Sequence, residues 1–216
     1  MKGCQGKAAA FLLKGDERMK YVIALNRQFG SLGRQVAQRV AQLMGIEYYD
    51  RDIVEATAKK MGLPVSKISE QEESQGGKFF GMQFPLGNGN DDVKDKIFDE
   101  QEKIIMSIAD KGPCIIVGRC ADYVLRNNEN VLNIFIYASY GSRIKNSVDV
   151  LNLEPEEALK RIKEVDKARD NYHMKYAKYL PNDMNHIHAM LDSGTLGVEG
   201  CAQAIVKIAK DRFNLE

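Results

Sequence analysis

Short apolar runs alternate along this chain with longer stretches of helical periodicity, and this alternation constrains the fold more than any other feature. The runs YVIAL (21–25), CIIV (114–117) and VLNIFIY (131–137) contain no charged residue. Such runs are typical of strands buried on both faces of a sheet. Strands that alternate with amphipathic helices form a parallel sheet with helices on both faces. We therefore predict a three-layer α/β fold.

Weaker signals of the same two kinds predict the remaining elements. Apolar residues at helical spacing after Gly33 indicate a helix that includes Val36, Val40 and Leu43. Further strands are predicted at 46–49 and 188–191, and further helices at 51–61, 93–111, 121–126, 140–151, 154–177 and 198–213.

The chain length of 216 residues fits one domain, which we predict over 19–216. Residues 1–18 are predicted to be a peripheral leader. An insert at 71–92 breaks the periodicity with glycines among large apolar residues. Its aromatic residues Phe79, Phe80 and Phe84 would stack on a base, anchor the insert or form a homodimer contact, and the sequence leaves these alternatives open.

Composition excludes several classes of partner. The 31 Lys and Arg residues balance 30 Asp and Glu residues, so no overall field attracts a nucleic-acid polymer. The longest apolar runs are much shorter than the roughly 20 residues that a bilayer requires, so no membrane partner is expected. The four cysteines form no CxxC pair, which favours a reduced, cytoplasmic protein.

The loop after the first strand is predicted to hold phosphate. Gly30 and Gly33 would adopt positive φ angles and bring backbone amides to the anion, while Ser31 would add a hydroxyl and Arg34 a fixed charge. Ligands of open parallel sheets bind at the carboxyl ends of the strands, where helix N-termini offer N–H groups, and this loop lies at such a position. The predicted loop residues are Gly30, Ser31, Leu32, Gly33, Arg34 and Gln35. The pattern alone also fits an ordinary tight turn.

This loop departs from the Walker A motif. Aligned on the second glycine of the motif, Arg34 occupies the position of the lysine and Gln35 that of the Ser or Thr that ligates Mg²⁺. A metal would then be held through water and an acidic side chain. Asp50, at the end of the second predicted strand, is the candidate for that role and for orienting an acceptor hydroxyl. Its alternative role is to cap the helix that begins at Arg51.

Five segments of the chain, in order and spacing, resemble the bacterial cytidylate kinase-like family over about 21–213. They are NRQFGSLGRQVAQRVAQLMGIEYYDRDIV, GPCIIVGRCADYVL, VLNIFIYASYGSRIK, EEALKRIKEVDKARDNY and LDSGTLGVEGCAQAIVKI. The family is related to the true cytidylate kinases, which have the P-loop nucleoside monophosphate kinase fold. The resemblance therefore implies a parallel sheet, an insert that binds the monophosphate and a lid over the phosphates.

The resemblance also implies roles for particular residues. Arg34 and the glycine loop would hold the donor phosphates, and Arg119 matches the arginine of a GR motif that faces the acceptor. Arg143 matches an arginine of the helix that leads to the lid. Asp166 matches the first aspartate of the lid pattern D-x-x-D-x-x-R, which places the lid at about 166–181. Arg169 stands where that pattern has its second aspartate.

The functional expectation is an ATP-dependent phosphotransferase that uses Mg²⁺ and acts on a small nucleotide, with CMP or dCMP first. The expected catalytic residues are Arg34, Asp50, Arg119, Arg143 and Arg169, and the expected acceptor-binding residues are Asp50, Arg119, Asp166 and Arg169. A nucleotide-binding regulatory protein without catalysis and a kinase for a non-nucleotide small molecule are the alternatives. The arginines would otherwise be surface salt-bridge partners, and the charges at 166–173 a solvated stripe.

Overall fold

The computed structural model describes residues 20–65 and 90–216, and five strands within them form one parallel sheet. Its spatial order is β2-β3-β1-β4-β5. The strands are β1 (Val22–Arg27), β2 (Glu47–Tyr49), β3 (Cys114–Val117), β4 (Val131–Tyr137) and β5 (Ala189–Asp192). The predicted parallel α/β fold is confirmed. The two short edge strands, β2 and β5, each begin one residue later than predicted.

The helices lie between these strands as predicted. They are α1 (Gly33–Met44), α2 (Arg51–Met61), α3 (Asn90–Ala109), α4 (Ala121–Val124), α5 (Tyr140–Asp149), α6 (Pro155–Ala177) and α7 (Ser193–Phe213). Helix α4 ends two residues earlier than predicted. Helix α7 contains Gly197 with non-helical angles, so its regular part begins at Val198 as predicted.

Helices cover both faces of the sheet, and successive residues of β1 point to opposite faces. Ile23 and Leu25 pack with α1 and α7, and Val22 and Ala24 pack on the face covered by α3 and α4. All four side chains are at most 2% exposed. Complete burial of an aliphatic side chain contributes about 1.5–3 kcal/mol, so this apolar run fixes the centre of the sheet.

Parallel strands bring their carboxyl ends to one edge. Arg27 ends β1, Asp50 follows β2 and Arg119 lies two residues after β3. The loop between β1 and α1 opens at the same edge. The polar residues that the sequence separates by up to about a hundred positions therefore come together here.

Three of the cysteines, Cys114, Cys120 and Cys201, are buried and free. Burial raises the pKa of Cys114 to about 12, so its thiol stays protonated at neutral pH. Among the described helices, none is long and apolar enough to cross a membrane. The predicted leader lies outside the described residues, as does the insert apart from the first three residues of α3.

Candidate functional site

The glycine loop turns between β1 and α1 through two left-handed residues, Gly30 at φ +74° and Leu32 at φ +56°. The prediction of a positive φ angle is right for Gly30 and wrong for Gly33, because Leu32 makes that turn and α1 already begins at Gly33. Gly33 is needed for a different reason. A Cβ atom there would lie 2.6 Å from Cβ of Arg27.

Ser31 does not present its hydroxyl to a ligand as the sequence predicted. The side chain is fully buried, and its hydroxyl lies as a donor 2.9 Å from the carbonyl of Gln28 and 3.3 Å from that of Ile136. The hydroxyl of Ser193 in turn donates to the Ser31 carbonyl at 2.6 Å. Ser31 therefore fixes the loop to the end of β4 and the first residue of α7, which leaves the backbone amides as the groups for an anion.

Arg143 and Asp166 hold the other side of the loop. Arg143 on α5 donates from Nε to the Phe29 carbonyl at 2.7 Å, and the Phe29 N–H donates to Asp166 on α6 at 2.7 Å. The guanidinium and the carboxylate also form an ion pair with each other. The side chain of Arg143 is only 7% exposed, so it is no surface salt-bridge partner. The structure brings these two predicted residues together as a clamp on the loop.

Asp50 is a buried carboxylate at the carboxyl edge of the sheet, directly after β2. Arg34 donates from Nε to its Oδ2 at 2.5 Å, and the Tyr48 hydroxyl donates to the same oxygen at 3.3 Å. Asp50 precedes α2, but its side chain makes no capping hydrogen bond to that helix. Of the two roles left open by the sequence, the cap is therefore wrong. Arg34 remains half exposed at the mouth of the site.

Arg27 is a site residue that the sequence analysis missed. Its guanidinium lies 3.8 Å from Asp50 Oδ1, and its side chain is 10% exposed. Arg119 was identified by its match to a GR motif, and no motif of the resemblance assigns a role to Arg27. The position of Arg27 at the end of a buried apolar strand was the signal that could have found it.

Arg119 and Arg169 line the same small cavity as Arg27. The backbone takes left-handed angles at three consecutive residues, Gly118, Arg119 and Cys120, which turns the chain sharply at the end of β3. Arg169 on α6 donates from a terminal guanidinium nitrogen to the Arg27 carbonyl at 3.0 Å. The cavity measures about 50 Å³, and Tyr172 and His173 complete its wall. Arg119 is partly buried here rather than on the open surface.

The electrostatics of the edge favour an anion. Burial alone would raise the pKa of Asp50, but the charges of Arg27, Arg34 and Arg119 outweigh it and hold that pKa below its usual value. Burial and the neighbouring Arg27 lower the pKa of Arg119 to about 10, so it is still charged at neutral pH. Among the residues that the structure describes, three guanidinium groups thus lie near one carboxylate, and guanidinium groups suit a phosphate.

The same surroundings do not fit a magnesium ion at Asp50. Its carboxylate already compensates several cations, and one oxygen is engaged by Arg34 and Tyr48. Within the described ranges there is no group of three or more His, Cys, Asp or Glu residues that would hold a metal. Gln35, at the predicted position of the metal-ligating hydroxyl, lies in the first turn of α1. The arrangement around Asp50 therefore does not fit its predicted role in holding a metal.

A buried charge pair anchors α6 behind the site. His173 donates from Nε2 to Asp122 at 3.0 Å and from Nδ1 to the Tyr179 carbonyl at 2.8 Å. Asp122 also accepts hydrogen bonds from Asn26 and from the Tyr179 hydroxyl. Both imidazole nitrogens face oxygen acceptors, so His173 is positively charged. The alternative of a solvated stripe is wrong for His173, which is 3% exposed.

The proposed lid at 166–181 begins inside α6, where Ala168 and Ala177 are buried. These contacts hold the first part of the proposed lid on the core. Its remaining residues, 178–181, and the segment that follows to 188 have no regular secondary structure. The position and movement of a lid stay predictions.

A parallel sheet in this strand order, with a glycine loop after its first strand and arginines at the carboxyl edge, defines a protein with the fold of the P-loop kinases. More particularly, the model of the cytidylate kinase-like family matches residues 22–195, and the chain belongs to that family. No curated protein matches the sequence.

Solved structures share the fold. The chain is 23% identical to an uncharacterized protein from Eubacterium ventriosum, with a TM-score of 0.68 over 88% of this chain and 98% of that one. The shikimate kinase from Acinetobacter baumannii, solved in complex with shikimate, is 15% identical with a TM-score of 0.51 over 88% and 93% of the two chains. The shikimate kinase from Bacteroides thetaiotaomicron is 10% identical, with a TM-score of 0.51 over 90% and 99%.

Proposed function

We propose that this chain is an ATP-dependent phosphotransferase whose acceptor is a small anion, with CMP or dCMP the first acceptors to test. The observation that carries the proposal is the convergence of arginines on one buried carboxylate beside the glycine loop. Membership of the cytidylate kinase-like family supports the same reaction class. Catalysis in this class consists mainly of positioning and charge stabilisation, and guanidinium groups supply both.

The donor phosphates would lie on the glycine loop. The first amides of α1 point out of the N-terminal end of the helix, as in any α-helix. Leu32, the residue before α1, has no side-chain oxygen to accept hydrogen bonds from them, so they remain donors for an anion. Arg143 and Asp166 would keep the loop in this shape before ATP arrives. A loop that is already ordered loses less entropy when the nucleotide binds.

The transfer itself exchanges one bond for another. An acceptor oxygen forms a bond to the γ-phosphorus while the bond from that phosphorus to the bridging oxygen breaks, and its electron pair leaves with ADP. Arg119 and Arg169 would hold the acceptor and offset the charge that spreads over the phosphoryl oxygens.

The acidity of Asp50 indicates the type of acceptor. Because nearby guanidinium groups lower its pKa, Asp50 is a weak base and would accept a proton from a hydroxyl only poorly. A monophosphate oxygen carries no proton that must be removed at neutral pH. This favours a nucleoside monophosphate such as CMP over an alcohol, with Asp50 orienting the arginines and the acceptor rather than acting as base.

One observation supports a kinase for a non-nucleotide acid as the second candidate. Tyr172 stands where the family pattern has an arginine, and its hydroxyl donates to buried Gln101 at 2.8 Å instead of pointing to a phosphate. Arginines bind a carboxylate with the same paired hydrogen bonds as a phosphate. Shikimate, which occupies the Acinetobacter baumannii enzyme, therefore belongs in the acceptor panel.

A coupled assay of ADP release tests the proposal. The purified chain is incubated with ATP, Mg²⁺ and one of CMP, dCMP, UMP, AMP or shikimate. We expect ADP release above the rate without acceptor for CMP or dCMP, a loss of about a hundredfold or more in Arg119→Gln, and an unchanged rate in the exposed control Arg161→Gln. Release with shikimate alone supports the second candidate. ATP binding without turnover on any acceptor overturns both and supports a regulatory nucleotide-binding protein.

A further inference from the structure

We propose that Arg27 supplies, from beneath the glycine loop, the positive charge that a Walker A motif places on its lysine, and that it binds the β- and γ-phosphate groups of the donor. The inference rests on the proposed function, since it assigns a residue of the same site. The comparison of the glycine loop with the Walker A motif does not assign this role to Arg27, because it places Arg34 at the position of the lysine.

Arg34 is placed for a different task. Its Nε donates to Asp50 at 2.5 Å, and its half-exposed side chain runs from the first turn of α1 toward the end of β2. Arg34 therefore faces the side of the site where β2 ends. On the side where β3 ends, the guanidinium beside Gly118 belongs to Arg27.

Arg27 reaches that position because two glycines leave room for it. Its stem passes Gly33, where an added Cβ would lie 2.6 Å from Cβ and 3.0 Å from Cγ of the arginine. Its guanidinium passes Gly118, where an added Cβ would overlap a terminal nitrogen. The side chain thus runs from the last residue of β1, under the first residue of α1, to the end of β3.

This path places the guanidinium between the donor loop and the arginines of the acceptor side. Asp50 lies 3.8 Å away, and Arg119 is close enough for its pKa to be lowered by the charge of Arg27. Arg169 binds the Arg27 carbonyl and so fixes the backbone from which the side chain starts. The charge of Arg27 lowers the pKa of Arg119, so the two guanidinium groups repel each other, and a triphosphate tail bound between them would reduce this repulsion.

Calorimetry with three nucleotides tests this assignment. AMP-PNP carries β- and γ-phosphate groups, ADP lacks the last and AMP lacks both. For Arg27→Gln we expect AMP-PNP binding to weaken about ten- to hundredfold, as for loss of hydrogen bonds to a charged group, ADP binding to weaken less and AMP binding to stay within about twofold. The matched control is Arg161→Gln, an exposed arginine that forms an ion pair with Glu157 on its own helix. It should bind all three nucleotides like the wild type.

The outcomes separate the two proposals. If the wild type binds AMP-PNP and Arg27→Gln binds it equally well, the assignment of Arg27 is overturned and the proposed function stands. An equal loss for AMP and AMP-PNP shows that Arg27 only supports the fold of the loop, which also overturns it. Failure of the wild type to bind any of the three nucleotides overturns the proposed function and this assignment with it.

A crystal structure of the wild-type chain with AMP-PNP gives a reading that does not depend on the folding of a variant. We expect a guanidinium nitrogen of Arg27 within about 3.2 Å of a β- or γ-phosphate oxygen. AMP-PNP bound on the loop with Arg27 more than about 5 Å from both phosphates would refute the assignment.

Discussion

Gly30 has no space for a side chain, and this makes the glycine loop sensitive to a single methyl group. A Cβ atom would lie 2.7 Å from the Arg143 carbonyl oxygen and 2.8 Å from the Ser147 hydroxyl, at a φ angle of +74°. Gly30→Ala should lower the free energy of unfolding by about 2–4 kcal/mol, from backbone strain plus overpacking. Urea unfolding measures this cost.

Gly45 is the matched control for that substitution. Its φ angle of +63° is similar, but nothing lies within 4 Å of an added Cβ. Gly45→Ala should therefore cost only the backbone strain, about 1–2 kcal/mol. Equal costs for the two variants would show that the contact with Arg143 is unimportant.

The pair of His173 and Asp122 predicts a pH dependence of stability. Burial would lower the pKa of His173, but the hydrogen bond and charge of Asp122 raise it, and the pKa of Asp122 falls despite its own burial. The contribution of His173 is fully present below its unfolded pKa of about 6.5 and is lost as the pH rises through its higher folded pKa. That of Asp122 is present above about 3.9 and is lost as the pH falls through its lower folded pKa. This pair should therefore contribute less to the unfolding free energy of the wild type as the pH rises above about 6.5.

Asp122→Asn should reverse this slope. Without the carboxylate, burial dominates and the pKa of His173 falls, so stability should rise between about pH 5 and 7 as the imidazole becomes neutral. The variant should also lose about 3–5 kcal/mol near pH 6, because a buried charge loses its partner. Urea unfolding across pH 5–9 measures both effects, with exposed Asp110→Asn as control. A slope like that of the wild type would contradict the charged pair.

Single residues of the site were predictable where a pattern required their chemistry. Gly30, Arg34, Asp50 and Arg119 all lie at the predicted edge, since loops after parallel strands meet there. The left-handed Leu32 was not predictable, because leucine disfavours that conformation. The inward hydroxyl of Ser31 faces the Ile136 carbonyl of β4, which lies more than a hundred residues away in sequence.

At the scale of elements, α5 and α6 act on the glycine loop as one clamp. Asp166→Asn would keep an oxygen for the Phe29 N–H but remove the charge opposite Arg143, which is only 7% exposed. We expect a loss of about 2–3 kcal/mol and a fall in melting temperature of roughly 2–4 °C per kcal/mol. AMP-PNP affinity should fall as well, because the loop must be ordered when the nucleotide binds.

The control for the clamp is Asp211→Asn. Asp211 is an exposed aspartate whose ion pair with Lys207 lies one helical turn away on α7, and such pairs contribute little. It should change neither the melting temperature nor the AMP-PNP affinity. If Asp166→Asn behaves in the same way, α6 does not hold the loop.

Elements were more predictable than their ends. The central strands β1, β3 and β4 follow from uninterrupted apolar runs, since strands buried on both faces need them. The edge strands β2 and β5 begin one residue later than predicted. An edge strand is only partly buried, so its apolar pattern indicates its ends less clearly. The contacts of α6 were not predictable, since they depend on Asp122 and Phe29, which lie far away in the chain.

For the whole molecule, the question is which part of the proposed lid moves when ligands bind. Residues 166–177 belong to α6 and are fixed at Phe29, at Gln101 and at Asp122. Residues 180–187 form turns in which Leu180 and Met184 are exposed. Pro181 lines the cavity that Arg27, Arg119 and Arg169 share, so a small movement of this loop would cover the site.

Hydrogen exchange should therefore be slow in the part of the proposed lid that belongs to α6 and fast in the loop that follows the helix. Without ligand, amides of 166–177 should exchange nearly as slowly as those of β1 and β3, because helix opening would have to break buried hydrogen bonds. Amides of 180–187 should exchange quickly, and should slow when AMP-PNP and the acceptor identified by the coupled assay bind together. Slow exchange throughout 166–187 without ligand would indicate a rigid site that does not close. Fast exchange of 166–177 would show instead that all of α6 moves, and the contacts at Phe29 and Asp122 would then have to break in every catalytic cycle.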